Sequence, residues 1–491
     1  MGIKAGTAET IRHGDQIMSS TRFVGLTGEV VTVDADAIEK LKSSMRGRLL
    51  APNDDGYETA RTVWNAMINR KPALVARCAG VADIRQAVMF AHAHGLLTAI
   101  KGGGHNIAGN AVCDGGLLID LSNMRGVTVD PFTSVAHVEP GATLGDFDHE
   151  CQAFGLATPV GINSTTGVAG LTLGGGFGWL SRKHGMTVDN LIAADVIVAD
   201  GRMLRASETE HPDLFWAIRG GSGNFGVVSR FEFKLHPVGP EVLTGMVVYS
   251  LKDAASALKQ FREYVKKLGD ETNVWTVMRK APPLPFLPPQ VHGTEIIAFC
   301  VFHSGNPDEG RRAIEPVRKF GTILGEFIGM QPYIAWQQTF DPLLTTGARN
   351  YWKSHNFVDL SDGAIDVAVK YVQTLPSPHC EIFFGLIGGA TTRPKPAATA
   401  YSHRDAIYVC NVHGRWDTAP EDQKCIDWAR GFFREAAPHA TGGVYVNFLT
   451  DDEPERIGAA YGPGYERLVA AKDKYDPGNL FRMNQNIRPS A

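Results

Sequence analysis

The sequence predicts an α+β protein of two units, and three observations carry that reading. Residues from about 35 to 235 are rich in glycine and alternate short apolar runs with helical stretches. The segment HPVGPE, residues 236–241, then breaks the pattern with two prolines and a glycine. Beyond it, apolar strands alternate with charged amphipathic helices, which suggests a second sheet with helices against one face. With 491 residues the chain has room for two or more domains of roughly 100–200 residues each.

The elements can be justified in order from their periodicity. ADIRQAVMFAHAH (82–94) has helical spacing, and 97–100 reads as a buried strand. GLLIDLSNMRGVTVDP gives two short strands around a turn, SVAHVEP alternates strictly, and NLIAADVIVAD (190–200) is a strand closed by Gly201. PDLFWAIRG is helix-like and VVSRFEFKL an alternating strand. After the break, MVVYSLKD begins a strand and SALKQFREYVKKL is an amphipathic helix. APPLPFLPPQ (281–290) is a loop, because neither a helix interior nor a central strand tolerates so many prolines. Strands are expected in TEIIAFCVFH, EIFFGLIGGA and AIYVCNVHGRW, and a helix in EDQKCIDWARGFFREAA.

Composition narrows the function classes. Hydrophobic content of 44% and charged content of 20% are those of a globular chain. A net charge of −4 gives no reason to expect nucleic acid or a membrane as partner. No run approaches the roughly 20 apolar residues of a membrane span. The N-terminal MGIKAGTAETIRHGDQIMSS lacks an apolar core and reads as a frayed leader rather than a secretory signal. Seven cysteines (Cys78, Cys113, Cys151, Cys300, Cys380, Cys410 and Cys425) are scattered without a CxxC pair. They are expected to be reduced, mostly buried thiols of a cytoplasmic protein. There is no HExxH or other metal-ligand spacing, so no metal is expected.

Three glycine-rich stretches carry the chemistry. KGGGHNIAG (101–109) places a histidine behind three glycines at the end of an apolar run. Glycines there suit a tight turn or a close ligand approach; the alternative is a turn with a solvated histidine. GSGNFG (221–226) matches the dinucleotide fingerprint, but a helix-like stretch precedes it and a strand follows, the reverse of the order that motif needs. NSTTGVAGLTLGGGFG (163–178) has six glycines in sixteen residues and no charge. Such loops present bare N–H groups to an anion such as a diphosphate, so a nucleotide-type cofactor is the better reading.

KGGGHNIAGNAVCDGGLLIDLSNM, VGINSTTGVAGLTLGGGFGWLSRKHGMTVDNL and DLFWAIRGGSGNFGVVSRFEFKLHPVGP together resemble the PCMH-type FAD-binding module of the vanillyl-alcohol oxidase superfamily. KDKYDPGNLFRMNQNIRP resembles the ending of its berberine-bridge-enzyme-like branch. The resemblance runs from about Tyr57 to the C-terminus. It implies an FAD-binding domain at 35–236, to which 450–491 returns, and a substrate-binding domain at 237–449 with an antiparallel sheet backed by helices.

The resemblance also implies roles for individual residues. His105 corresponds to the histidine bonded covalently to the 8α-methyl of FAD. Asn163 stands where many members carry a second, cysteinyl tether, so a single bond through His105 is expected, with a lower potential than in doubly tethered relatives. Gly102, Gly103, Gly104 and Asn106, with Thr165, Thr166, Gly167, Gly170, Gly174, Gly175 and Gly178, would hold the pyrophosphate and ribityl chain. Val227 would lie near the adenosine half, and Asn484 would return from the tail to the cofactor. Val168 corresponds to the residue linked to oxygen access. Tyr445 and Asn447 fit a Tyr-x-Asn motif on a strand returning to the FAD module, with Tyr445 as catalytic base. A free tyrosine with pKa about 10 needs a nearby cation, for which Lys353 and Arg404 are candidates. Relatives that use a carboxylate place it on a substrate-domain strand; LIGGA (386–390) has none there, leaving Glu381 and His413 in reserve.

The function implied is an FAD-dependent oxidase that takes hydride from an alcohol, sugar or secondary metabolite and passes the electrons to O2, giving H2O2. Two alternatives stay open: a flavin dehydrogenase with another acceptor, and a flavin-binding protein without catalysis.

Overall fold

The computed structural model describes residues 20–490; the leader expected at the N-terminus lies outside the described residues. The first sheet has the order Arg48–Leu50, Leu74–Arg77, Leu117–Asp120 and Thr98–Lys101, the last three parallel. LVAR, LLID and TAIK are almost wholly buried, as parallel strands covered on both faces must be. Helix Val81–His94 connects two of them and ends at Gly95, where φ is 62°. An antiparallel sheet follows, ordered Met203–Ser207, Leu191–Ile197, Val227–Lys234, Val135–Val138 and Val127–Asp130. Helix Leu144–Gln152 packs beside it and starts with a capping box between Thr143 and Asp146.

The third large sheet is antiparallel and seven-stranded: Ile323–Pro332, Glu241–Ser250, Glu295–His303, Thr272–Lys280, Glu381–Leu386, Tyr408–Trp416 and Arg349–Phe357. Helices Ala254–Val265, Asp362–Val372 and Asp422–Ala436 cover one face. The other face looks onto the glycine-rich loops. Because strand side chains alternate, register decides which residues meet the helices. His355 stacks on Phe433 of the long helix at 4.4 Å, so Lys353 and Tyr351 share that face while Trp352 takes the opposite one.

The predicted helices and strands appear within a few residues of their expected bounds. Strands Leu74–Arg77 and Ile323–Pro332 and helix Asp362–Val372 were not foreseen, nor was Arg349–Phe357. RNYWKSHNF shows no apolar alternation because both faces are buried, with Asn350, Lys353 and His355 among its polar residues paired inside. Residues 20–34 form a hairpin that adds Phe23 and Val33 to the core around the first sheet. The seven cysteines are buried and free. No helix among the described residues is long and apolar enough to cross a membrane.

The C-terminal segment packs back into the cores of the first two sheets, through Leu468, Leu480, Phe481 and Ile487. GSGNFG, the false dinucleotide motif, is where it docks. Asn224 donates to the carbonyls of Gly221 and Gln485 and accepts from the Ile487 N–H. Lys472 is fully buried and donates to Asp476 at 2.6 Å and to the carbonyls of Asn224 and Phe481. Removing one member of a buried pair strands the other charge. Lys472→Met is therefore expected to cost about 3–5 kcal/mol, read as a lowered denaturation midpoint. Lys474→Met, which removes an exposed pair with Asp213, should change it by about 1 kcal/mol or less.

Candidate active site

The site begins where two glycine-rich loops meet. Strand Thr98–Lys101 ends at buried Lys101, whose ammonium lies 3.5 Å from Asp120 and donates to the Ala60 carbonyl. The chain then turns through Gly102 to Gly104, where Gly104 has a φ of 72°. A Cβ on Gly103 would lie 2.4 Å from the Gly167 nitrogen, and one on Gly167 would lie 2.5 Å from the Gly103 nitrogen. Only glycine on both sides allows this backbone contact. It brings His105 against the second loop, with Nε2 3.0 Å from Thr165 Oγ1 and Nδ1 3.4 Å from Thr166 Oγ1. Trp64 stacks on the imidazole at 5.1 Å. Desolvation lowers the His105 pKa to about 4, so the ring is neutral at pH 7.

A cavity of about 450 Å³ runs between these loops and the open face of the seven-stranded sheet. On the loop side it is lined by Gly102, Gly103, Gly104, Asn106, Thr166 and Gly167, and also by Gly170, Val227, Asn447 and Asn484. Gly170 and Gly223 open directly onto the space, with no atom within 4 Å of an added Cβ. Asn484 Oδ1 is buried without a partner. Bare main-chain N–H groups fit a diphosphate, and an orphaned amide oxygen fits a ligand N–H or hydroxyl; FAD carries both.

The opposite wall comes from alternate residues of neighbouring strands. Arg279, Glu381, His413 and Trp352 form one cross-strand row. Arg279 Nη1 lies 2.6 Å from Glu381 Oε2, and His413 lies 3.3 Å from Glu381 Oε1 and 3.1 Å from Asn350 Oδ1. Burial pushes the Glu381 carboxyl up, but the Arg279 charge and the His413 bond outweigh it and hold the pKa at about 2. Burial lowers His413, with Glu381 opposing. Around the row the wall is apolar: Met246, Val248, Trp275, Val277 and Phe383. Asn411 Oδ1 and the indole N–H groups of Trp275 and Trp352 are buried there without partners.

Tyr445 lines the junction of the two walls. It precedes the short turn Val446–Phe448 rather than lying on the strand expected from sequence. Its hydroxyl oxygen accepts from the Gly176 N–H and from Asn447 Nδ2, both at 3.0 Å. Burial raises its pKa to about 12, with these two donors opposing.

Several expected contributors lie elsewhere. Lys353 faces the helices, 2.9 Å from Asp452 and 3.0 Å from Glu453, and so supplies no charge to Tyr445. Arg404 forms a two-pronged pair with Asp189, both contacts at 2.7 Å. Val168 is fully buried in the core behind the loop and does not line the cavity. Gly174, Gly175 and Gly178 are packing positions: their Cβ atoms would meet Asn447, Tyr401 and the Val160 carbonyl. Thr165 touches His105 rather than the cavity. Trp64, Arg279, Trp352 and Asn411 were missed. Strand parity carried a signal for Trp352, since a lysine facing the helices puts its neighbour on the open side. For Trp64, in an irregular segment, the sequence offered none.

Comparison with known proteins agrees with this geometry. Residues 72–207 match the family described as FAD binding domain, and 444–488 the one described as berberine and berberine like. The chain is 30% identical to an FAD-linked oxidoreductase of Bacillus subtilis, over 91% of this chain and 98% of the other. Its structure is similar to 6-hydroxy-D-nicotine oxidase from Arthrobacter nicotinovorans (TM-score 0.82, 27% identity, 91% of this chain and 99% of that one). It is also similar to glucooligosaccharide oxidase from Acremonium strictum, a protein with a 6-S-cysteinyl, 8α-N1-histidyl FAD (TM-score 0.82, 25% identity, 93% and 100%).

Glu381→Gln would leave Arg279 buried without its counter-charge, an expected cost of about 3–5 kcal/mol near neutrality. Glu381 is held at about 2 against an ordinary 4.5, so its stabilisation is complete above 4.5 and is lost as pH falls toward 2. The gap between wild-type and Gln unfolding midpoints should therefore narrow across that window. A gap that stays constant from neutral pH to pH 3 would contradict the pairing.

Proposed function

The chain belongs to the berberine-bridge-enzyme-like family of FAD-linked oxidoreductases, and from that premise we propose an oxidase whose FAD is tethered through His105 alone. In this reading 35–236 with 450–491 holds the cofactor and 237–449 shapes the substrate site. FAD supplies the hydride acceptor and passes the electrons to O2. A neutral His105 is the form able to bond carbon, and Asn163 offers no sulfur for a second bond.

The observation that carries the catalytic reading is the pair of N–H groups at the Tyr445 oxygen. They serve in place of the cation expected from sequence, holding negative charge on the phenol oxygen when it takes the substrate proton. Gly176 and Asn447 also fix the oxygen at the junction, where it faces the space beside the sheet wall. That wall is mostly apolar and aromatic, with one polar row at its edge. A largely apolar, ring-bearing alcohol or amine fits it, its few polar atoms meeting Asn411 Oδ1 and the free indole N–H groups of Trp275 and Trp352.

In acid-denatured protein the yellow colour should stay with the chain and map to the His105 peptide alone, and His105→Ala should release it entirely. Flavin on a cysteine peptide would overturn the single tether.

With Tyr445 raised to about 12, only a small fraction is phenolate at neutral pH. The rate of flavin reduction should then climb about tenfold per pH unit below that value. Tyr445→Phe should flatten the profile and slow reduction by about a hundredfold or more; an unchanged profile would remove Tyr445 from proton transfer. Aromatic alcohols and amines should release peroxide faster than cellobiose in a substrate screen.

A further inference from the structure

Hydrogen-bond directions around His105 follow from atoms that have no choice of role. The Thr165 backbone N–H lies 3.0 Å from Asn163 Oδ1. A backbone N–H only donates, so the amide atom facing it is the oxygen. That oxygen only accepts, and Thr165 Oγ1 is 2.8 Å from it. The single hydroxyl hydrogen of Thr165 is therefore directed at Asn163. Toward His105 Nε2, 3.0 Å away, Thr165 then offers only lone pairs. A bond there requires hydrogen on Nε2. Since the ring is neutral, Nδ1 is bare, approached only by Thr166 Oγ1 at 3.4 Å.

We propose that Asn163 and Thr165 are positioning residues that hold His105 as the Nε2–H tautomer and present Nδ1 as the nitrogen that bonds the 8α carbon of FAD. This rests on the tether proposed above. Forming the Nδ1–C bond breaks one C–H of the 8α methyl group, whose hydrogen leaves as a proton and two electrons while Nε2 keeps its own. The two electrons, that proton and one from solvent reduce one O2 to H2O2, the acceptor the oxidase already uses. As Nδ1 shares its electron pair, positive charge spreads over the ring and strengthens the Nε2–H···Oγ1 bond. The relay thus acts where charge develops. Trp64, stacked on the ring, opposes the half-turn that would exchange the two nitrogens. Asn163 is on this view the terminal acceptor of the relay.

The test follows acid-stable flavin over time after FAD is added to protein produced under riboflavin limitation, in wild type, Thr165→Val, Thr165→Ser and Asn163→Leu. Total bound flavin before acid reports folding. Wild type is expected to link through Nδ1 of the His105 peptide. Thr165→Val and Asn163→Leu should tether about tenfold more slowly while still binding FAD, and Thr165→Ser should restore the rate. Should Thr165→Val fail to bind FAD, Asn163→Leu decides alone. Tethering at the wild-type rate in the variants, or linkage through Nε2, would overturn the relay and leave the tether standing. Release of all flavin from wild type would overturn both.

Discussion

The contact between Gly103 and Gly167 is the constraint on which the site depends. Two loops from different parts of the first unit can approach this closely only if neither carries a Cβ. Their closure sets His105 beside Thr165 and Asn163, and gives the cavity its main-chain wall. The triple glycine behind the histidine thus has two separate uses. Gly103 lets backbone meet backbone, while Gly104 supplies a left-handed turn that aims the following residue inward.

The opposite wall is governed by parity. Seven strands present alternate residues to the helices and to the cavity, so one substitution in register sorts a row of side chains by function. Lys353 and Trp352 are neighbours in sequence, yet one is locked among carboxylates under a helix and the other borders the cavity. The Arg279–Glu381–His413 row keeps charge buried at the cavity edge through mutual pairing. Little net charge is left to attract an ionic substrate, and the surrounding surface selects by shape and apolar contact.

Much of the fold was legible because its strands and helices obey simple periods. Strands Thr98–Lys101 and Leu117–Asp120 of the first sheet and helices Ala254–Val265 and Asp422–Ala436 of the second unit announced themselves in that way. RNYWKSHNF did not, since a strand buried on both faces can carry polar residues where distant groups, such as Asp452 for Lys353, supply partners. In the site, the glycine loops and His105 were visible because glycine clusters have few other uses. Lys353 and Arg404, the candidate cations for Tyr445, are both held in ion pairs of their own. Their true partners, Asp452, Glu453 and Asp189, lie far along the chain, and no local pattern reveals a long-range ion pair.

The docking of the tail onto Asn224 has a consequence for biosynthesis. Residues that line one end of the cavity, Asn484 among them, and the Lys472–Asp476 pair that holds the tail leave the ribosome after both large units have emerged. That end of the cavity therefore stays unsealed throughout elongation. Loading with the proposed cofactor is then a late event, coupled to the arrival of helix Tyr465–Tyr475 and the strap after it.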